Sequence, residues 1–215
     1  MKKLLLALSL FFFATASAQE KDVTTFLGIP VDGYKSEMIQ KLKEKGFVSS
    51  AYREDVLEGE FNGTEVQIHI VTNNNKVYRI MLCDKNTIGA TDIRIRFNNL
   101  CDQFANNSRY MSANEGDGKI SEDEDIGYNI KVKDKRYEAS FRQIPLQKTL
   151  ADMVIGSGYT KEELNKEEVQ KLLFQEYLKI ADNKSVWFMI SEFKGEYCIT
   201  MYYDNRLNQA NGEDL

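Results

Sequence analysis

Between Val56 and Asp84 apolar and polar residues alternate with a period of two, the pattern of strands buried on one face. Asn62-Gly63 is a two-residue turn signal, because both residue types tolerate φ > 0. It predicts a hairpin with Leu57 opposite Ile68 and Gly59 opposite Val66. A three-residue loop at Asn73-Asn74-Asn75 extends this into a meander, pairing Ile70 with Tyr78, Ile68 with Ile80 and Val66 with Leu82. The polar face then carries Gln67 with Met81 and His69 with Arg79.

Two more hairpins follow from the same alternation. One turns at Asp134-Lys135, with Val132, Ile130 and Tyr128 facing inward opposite Tyr137, Ala139 and Phe141. The other turns at Lys194-Gly195 and pairs Ile190 with Ile199, Phe188 with Met201 and Val186 with Tyr203. Its outer pairs are Ser191 with Cys198, Met189 with Thr200 and Trp187 with Tyr202.

Each hairpin has one apolar face, and amphipathic helices are available to cover it. Ser36 to Gly46 carries Met38, Ile39 and Leu42 on one stripe, with Gly46 as its stop. Thr91 to Ala105 places Ile93, Phe97, Leu100, Cys101 and Phe104 at i, i+4, i+7, i+8 and i+11. A third helix runs from about Thr160 to Ile180; Thr160 to Glu163 reads as a capping box, and Val169, Leu172, Leu173, Tyr177 and Ile180 form its stripe. A fourth starts at Pro145, with Leu146, Leu150, Met153 and Val154 on one side. The expected fold is α+β: an antiparallel sheet of hairpins and meanders with helices on one face. Helix precedes strands three times, so an imperfect repeat is expected, with units 24–84, 90–144 and 145–204 and a short tail 205–215 inside one domain of 19–215.

The first 18 residues change the picture of where the chain works. Lys2 and Lys3 precede the apolar run Leu4 to Phe13, and Ala16-Ser17-Ala18 has the small-residue spacing of a cleavage site. The run is too short to span a bilayer, which needs ~20 residues. A cleaved signal peptide and a periplasmic or secreted location are expected, without a lipid-anchor cysteine. No second long apolar stretch exists, so the mature chain reads as soluble with no transmembrane segment.

Lys and Arg number 28 against 33 Asp and Glu, a formal net charge of −5. Loss of Lys2 and Lys3 with the leader makes the remainder more acidic. That argues against nucleic acid as a partner, which needs a basic footprint. The three cysteines, Cys83, Cys101 and Cys198, match no zinc motif. Their odd number leaves at least one thiol free or paired between chains.

Phe26 to Phe47, FLGIPVDGYKSEMIQKLKEKGF, resembles the opening of small exported proteins from Bacteroides-type bacteria. Val186 to Leu215, VWFMISEFKGEYCITMYYDNRLNQANGEDL, resembles the close of the same group. The unit of Gly, helix and meander is similar to the tandem αβ repeats of β-lactamase-inhibitor-protein-like folds and of outer-membrane-assembly lipoproteins, although the anchor cysteine of the latter is missing. The inhibitor likeness implies binding through the sheet face.

Candidate chemistry is sparse. His69, the only histidine, sits on the polar face of a meander with Arg79 opposite, a cation that disfavours a charged imidazole. Ala113 to Glu124 resembles one end of a calcium loop, with Asp117, Gly118, Ile120 and Glu124 at positions 5, 6, 8 and 12, but Ala113 replaces the first ligand and the following segment reads as strand. Glu58, Glu60, Glu65, Glu122 and Asp125 have no spacing that selects a glycosidase pair. No cofactor or metal is expected. Trp187, Met189 and Tyr202 lie on the face of the last hairpin expected to be outer, and exposed aromatic clusters mark contact surfaces. The expected function is a non-catalytic exported binding protein whose partner is a protein or another envelope component. The alternative is an envelope hydrolase acting on carbohydrate or peptide.

Overall fold

The computed structural model describes residues 21–210 and 212; the expected leader, residues 1–18, lies outside them. Three two-residue turns with left-handed backbone set the strand registers. They are Asn62-Gly63, Asn74-Asn75 and Lys194-Gly195, with φ between 47° and 88°.

A short hairpin, β1 (Thr25–Phe26) and β2 (Ile29–Pro30), leads into α1 (Lys35–Glu44). The strands β3 (Val48–Ser49), β4 (Val56–Phe61), β5 (Thr64–Asn73) and β6 (Lys76–Asp84) follow. Next come α2 (Ala90–Ala105), β7 (Tyr110–Ser112), α3 (Ile126–Lys133), β8 (Glu138–Gln143) and α4 (Gln147–Gly156). A 3₁₀ turn at Glu163–Asn165, α5 (Glu167–Asp182), β9 (Lys184–Phe193) and β10 (Glu196–Asn205) complete the order, with a last 3₁₀ turn at Arg206–Asn208. No helix among the described residues is long and apolar enough to cross a membrane.

The chain is α+β. Eight antiparallel strands form one sheet in the order β3-β4-β5-β6-β10-β9-β8-β7. This order is two halves of one plan. Each half opens on a helix and contributes four strands that run outward-to-centre in sequence, the second half with α3 to α5 inserted among its strands, and the halves meet at their last strands, β6 and β10. β9 and β10 thus continue the run of β7 and β8 toward the centre of the sheet.

The core lies on the inner face. Leu57, Ile68, Ile80, Val186, Phe188 and Ile199 are buried there under Met38 and Leu42 of α1 and Ile93 and Phe97 of α2. Phe188 meets Phe97 edge-on at 5.0 Å between ring centres. Burying one such side chain contributes about 1.5–3 kcal/mol. At Gly59 an added Cβ would come within 2.6 Å of the Phe47 ring, so the missing side chain is what lets Phe47 cover the strand.

The first and third hairpins have the expected pairs, Leu57 with Ile68 and Ile190 with Ile199 among them. The middle of the first meander differs. The turn uses two residues, and a bulge between Val71 and Thr72 leaves Tyr78 unpaired, so Ile70 faces Ile80 and Ile68 faces Leu82. A slip of two preserves the faces but brings Met81, not Arg79, opposite His69, and Val77 rather than Tyr78 is buried.

Residues 126–133 are helix, not the expected strand. Asp125 accepts a hydrogen bond from the Tyr128 N–H at 2.9 Å and caps the helix, while Asp134, at φ 52°, ends it in a left-handed turn. The apolar spacing of Tyr128, Ile130 and Val132 fits a strand, but Tyr128 and Val132 are exposed, and Ile126 and Asn129 face inward. α5 starts at Glu167; the Thr160–Glu163 box forms, with Glu163 N–H donating to Thr160 Oγ1 at 3.3 Å, but it lies in the turn that leads into the 3₁₀ segment and does not cap α5.

Candidate functional site

The central part of the sheet's outer face is built from alternate positions of five strands, β5, β6, β10, β9 and β8. One row crosses it as His69, Met81, Tyr202, Trp187 and Ser140; the next as Arg79, Asp204, Ser185 and Arg142. Trp187 and Tyr202, expected on one face, are stacked at 3.9 Å between ring centres and 15° between planes. The Trp187 indole donates Nε1–H to Asp204 Oδ2 at 3.0 Å. Arg79 donates from Nε and Nη2 to the two oxygens of Asp204 at 2.6 and 2.7 Å. Its guanidinium lies 4.8 Å from the Tyr202 ring centre and 5.7 Å from that of Trp187.

The geometry has one electrostatic logic. The bond to Asp204 raises the Arg79 pKa further, and burial raises that of the Tyr202 hydroxyl. The cluster is thus a fixed cation with two aromatic rings, locked by a carboxylate that is itself 5 % exposed. Trp187 and Tyr202 remain half-buried, so one side of the cluster meets solvent. Met189, the third expected residue, is half-buried one row away, opposite Thr200 and Glu138, and its sulfur accepts from Arg136 at 3.8 Å. Arg79 and Asp204 had no place in the sequence-based site. Their alternation marks both as outward-facing, but only the β6–β10 pairing makes them neighbours.

A second feature lies on the inner side, at the end of the sheet that α1 and α2 leave open. It is a cleft of about 1260 Å³ between the β1–β2 hairpin, the end of α2 and the β7–β8 edge. At its floor Asp22 pairs with Lys184, side chains 7 % and 4 % exposed, and the Asp22 carboxylate also accepts from the Leu146 N–H at 2.7 Å. Gln143 ties the same floor together through Thr25 N–H at 2.8 Å and Thr25 carbonyl at 2.7 Å. No element of the sequence pattern pointed to this cleft, because its walls come from seven separate stretches of the chain.

The remaining candidates are dispersed. His69 is half-buried, and burial, then the charge of Arg53, lowers its pKa. The three cysteines are unpaired; burial pushes Cys101 up to about 12 and Cys198 up to about 11, and raises Cys83 too. Such thiols are poor nucleophiles at neutral pH. Among the described residues every carboxylate with a displaced pKa is displaced downward, including Glu58 and Glu124, the opposite of what a general acid needs.

The 113–124 loop is followed by a helix after all, but Glu124 turns away from it. Its Oε1 accepts from Asn129 Nδ2 at 2.8 Å and Tyr137 Oη at 2.6 Å and pairs with Lys135. Ile120 is buried and clamped to Asn98 of α2 by two 2.8 Å bonds, so the loop is anchored rather than free.

Comparison with protein-family models, curated proteins and solved structures finds no match to this chain.

Proposed function

We propose that this chain is a non-catalytic exported binding protein that engages a protein or another envelope component through the outer face of its sheet. The carrying observation is the Arg79–Trp187–Tyr202 cluster, held rigid by Asp204 and open on one side. Trp, Tyr and Arg dominate the energetics of protein contacts, and a contact group that is already fixed loses little entropy on binding.

The test is capture from envelope extracts by the mature protein and by Met189→Glu. Met189 lies on the proposed face but outside the Arg79 network, so the variant keeps the fold. A component held by the wild type and lost by the variant supports the reading. Equal capture by both places the contact elsewhere.

A further inference from the structure

The cleft at the open end of the inner face has a chemistry of its own. Apart from the Asp22–Lys184 pair and Gln143, its floor is apolar: Phe47, Phe61, Leu100, Phe104, Met201 and Tyr203. Large apolar side chains also stand exposed around its mouth. Leu27 is 41 % exposed, Ile144 39 % and Leu146 52 %. At roughly 300–1,000 Å³, typical small-molecule sites are smaller than this cleft of about 1260 Å³.

The rim is cationic. Lys21, Lys45 and Arg109 line it, and none of the three has an acidic partner within 4.0 Å among the described residues. Elsewhere Arg53, Arg79, Arg96, Arg136 and Arg142 are each paired with a carboxylate. The acids lining the cleft are Asp22 and Glu60. Asp22 is neutralised by the buried Lys184, which leaves Glu60 alone against three cations.

Arg109 is also positioned. Asn107 Oδ1 accepts from its backbone N–H at 3.1 Å and from its Nε at 3.4 Å, leaving the two terminal nitrogens free.

We propose that this cleft binds a small amphipathic anion, an apolar body carrying one acidic head group, of which a medium-chain fatty acid is the simplest case. The apolar floor and mouth take the body, and Arg109 with Lys45 takes the head. The charge setting selects the size of the anion. The whole chain is acidic, with a formal net charge of −5, so a long polyanion is repelled. A single acidic group within a Debye length, ~8–10 Å, meets mainly the local cations of the rim. The site is independent of the outer face: none of Arg79, Trp187, Met189 or Tyr202 lines it.

Calorimetric titration of the mature full chain with decanoate, 1-decanol and acetate tests it. Decanoate should bind at one saturable site, acetate should not, and decanol should bind roughly tenfold more weakly, the loss of a charge-assisted contact. The Arg109→Gln, Lys45→Gln double variant should bind decanoate only as well as the wild type binds decanol. Both residues are exposed, so its melting temperature should stay at the wild-type value. As a second readout on the wild type, added salt should weaken decanoate and leave decanol unchanged. Absence of decanoate binding, decanol binding as tightly as decanoate, or an unaltered affinity in the double variant would each overturn the proposal. Since Met189→Glu leaves the cleft intact, failure here and failure of capture on the sheet face are read separately.

Discussion

Asp204 grips Arg79 with both carboxylate oxygens across the β6–β10 seam, where the two halves of the sheet join. The partners are unequally placed: Arg79 is 24 % exposed and Asp204 5 %. Removing either breaks the same pair but strands a different charge. Arg79→Leu leaves a buried carboxylate with only the Trp187 N–H, and should cost ~3 kcal/mol or more. Asp204→Leu leaves an arginine free to turn toward water, and should cost about 1–2 kcal/mol less. Urea melts of both variants measure the difference; equal losses would show that the carboxylate finds solvent when unpaired.

The inner and outer faces of β5 give a sharper contrast. Ile68 is fully buried, while Gln67 beside it is half-buried and donates to Glu58 at 3.1 Å. Ile68→Asp places an unpaired carboxylate in the core, at several kcal/mol, against a typical total stability of ~5–15 kcal/mol. It should unfold the chain. Gln67→Lys puts a cation opposite Glu58 and should be tolerated within about 0.5 kcal/mol. Circular dichroism melts check both, and a large loss in Gln67→Lys would mean that the outer face is covered at β5.

These faces were legible because alternation is local. Asn62-Gly63 and Lys194-Gly195 fix their registers within a few residues of the turn. The errors arose where two local signals coincide. Asp134 reads as a hairpin turn, but its left-handed backbone serves equally to stop a helix, and Asp125 supplies the cap that decides for helix. At Tyr78 a bulge adds a second residue of shift to the one that the shorter turn introduces, and neither has a marker in the apolar pattern. The β6–β10 seam had no local signal at all, since Arg79 and Asp204 are 125 positions apart. The cleft was hidden for the same reason: Lys45, Arg109 and Lys184 line one cleft only once α1, α2 and β9 are in place. Trp187 and Tyr202 share one hairpin, so their contact could be read; the Arg79 that completes the cluster could not.

Acid should weaken the fold partly through Glu58. Lys85 first, then Ser50 and Gln67, hold its carboxyl down to about 2. An unfolded glutamate titrates near ~4.3. The folded pKa is the lower one, so the contribution is fully present above the unfolded value and is lost as pH falls through about 2. Glu58→Gln should therefore lower the melting temperature at neutral pH, where the contribution is present, and flatten its fall between those two values, so that wild type and variant converge in acid. Lys85 is solvent-exposed, so high salt should shrink the effect in the wild type. An acid slope identical in wild type and variant would assign the sensitivity to other carboxylates.

Trp187 reports on the outer face directly, because it is the only tryptophan. Its ring is half-buried, stacked on Tyr202 and tethered through Nε1 to Asp204. A fully buried tryptophan costs ~3–5 kcal/mol on truncation. Here one ring face meets solvent, and Asp204 keeps its two bonds to Arg79 when the indole is removed. Trp187→Ala should thus fold and lose about 1.5–3 kcal/mol, read by denaturant melts followed by circular dichroism. In the wild type the emission should lie between that of buried and free indole, and a neutral quencher should reach part of it. Arg79→Leu should increase that access, because the guanidinium is 5.7 Å from the ring centre and covers part of it. Occupation of the outer face should move the emission to the blue and remove the quenching, whereas decanoate in the cleft should leave both unchanged. If the free protein already shields the indole completely, the ring is covered within the chain itself, and the outer face has no open aromatic surface to offer a partner.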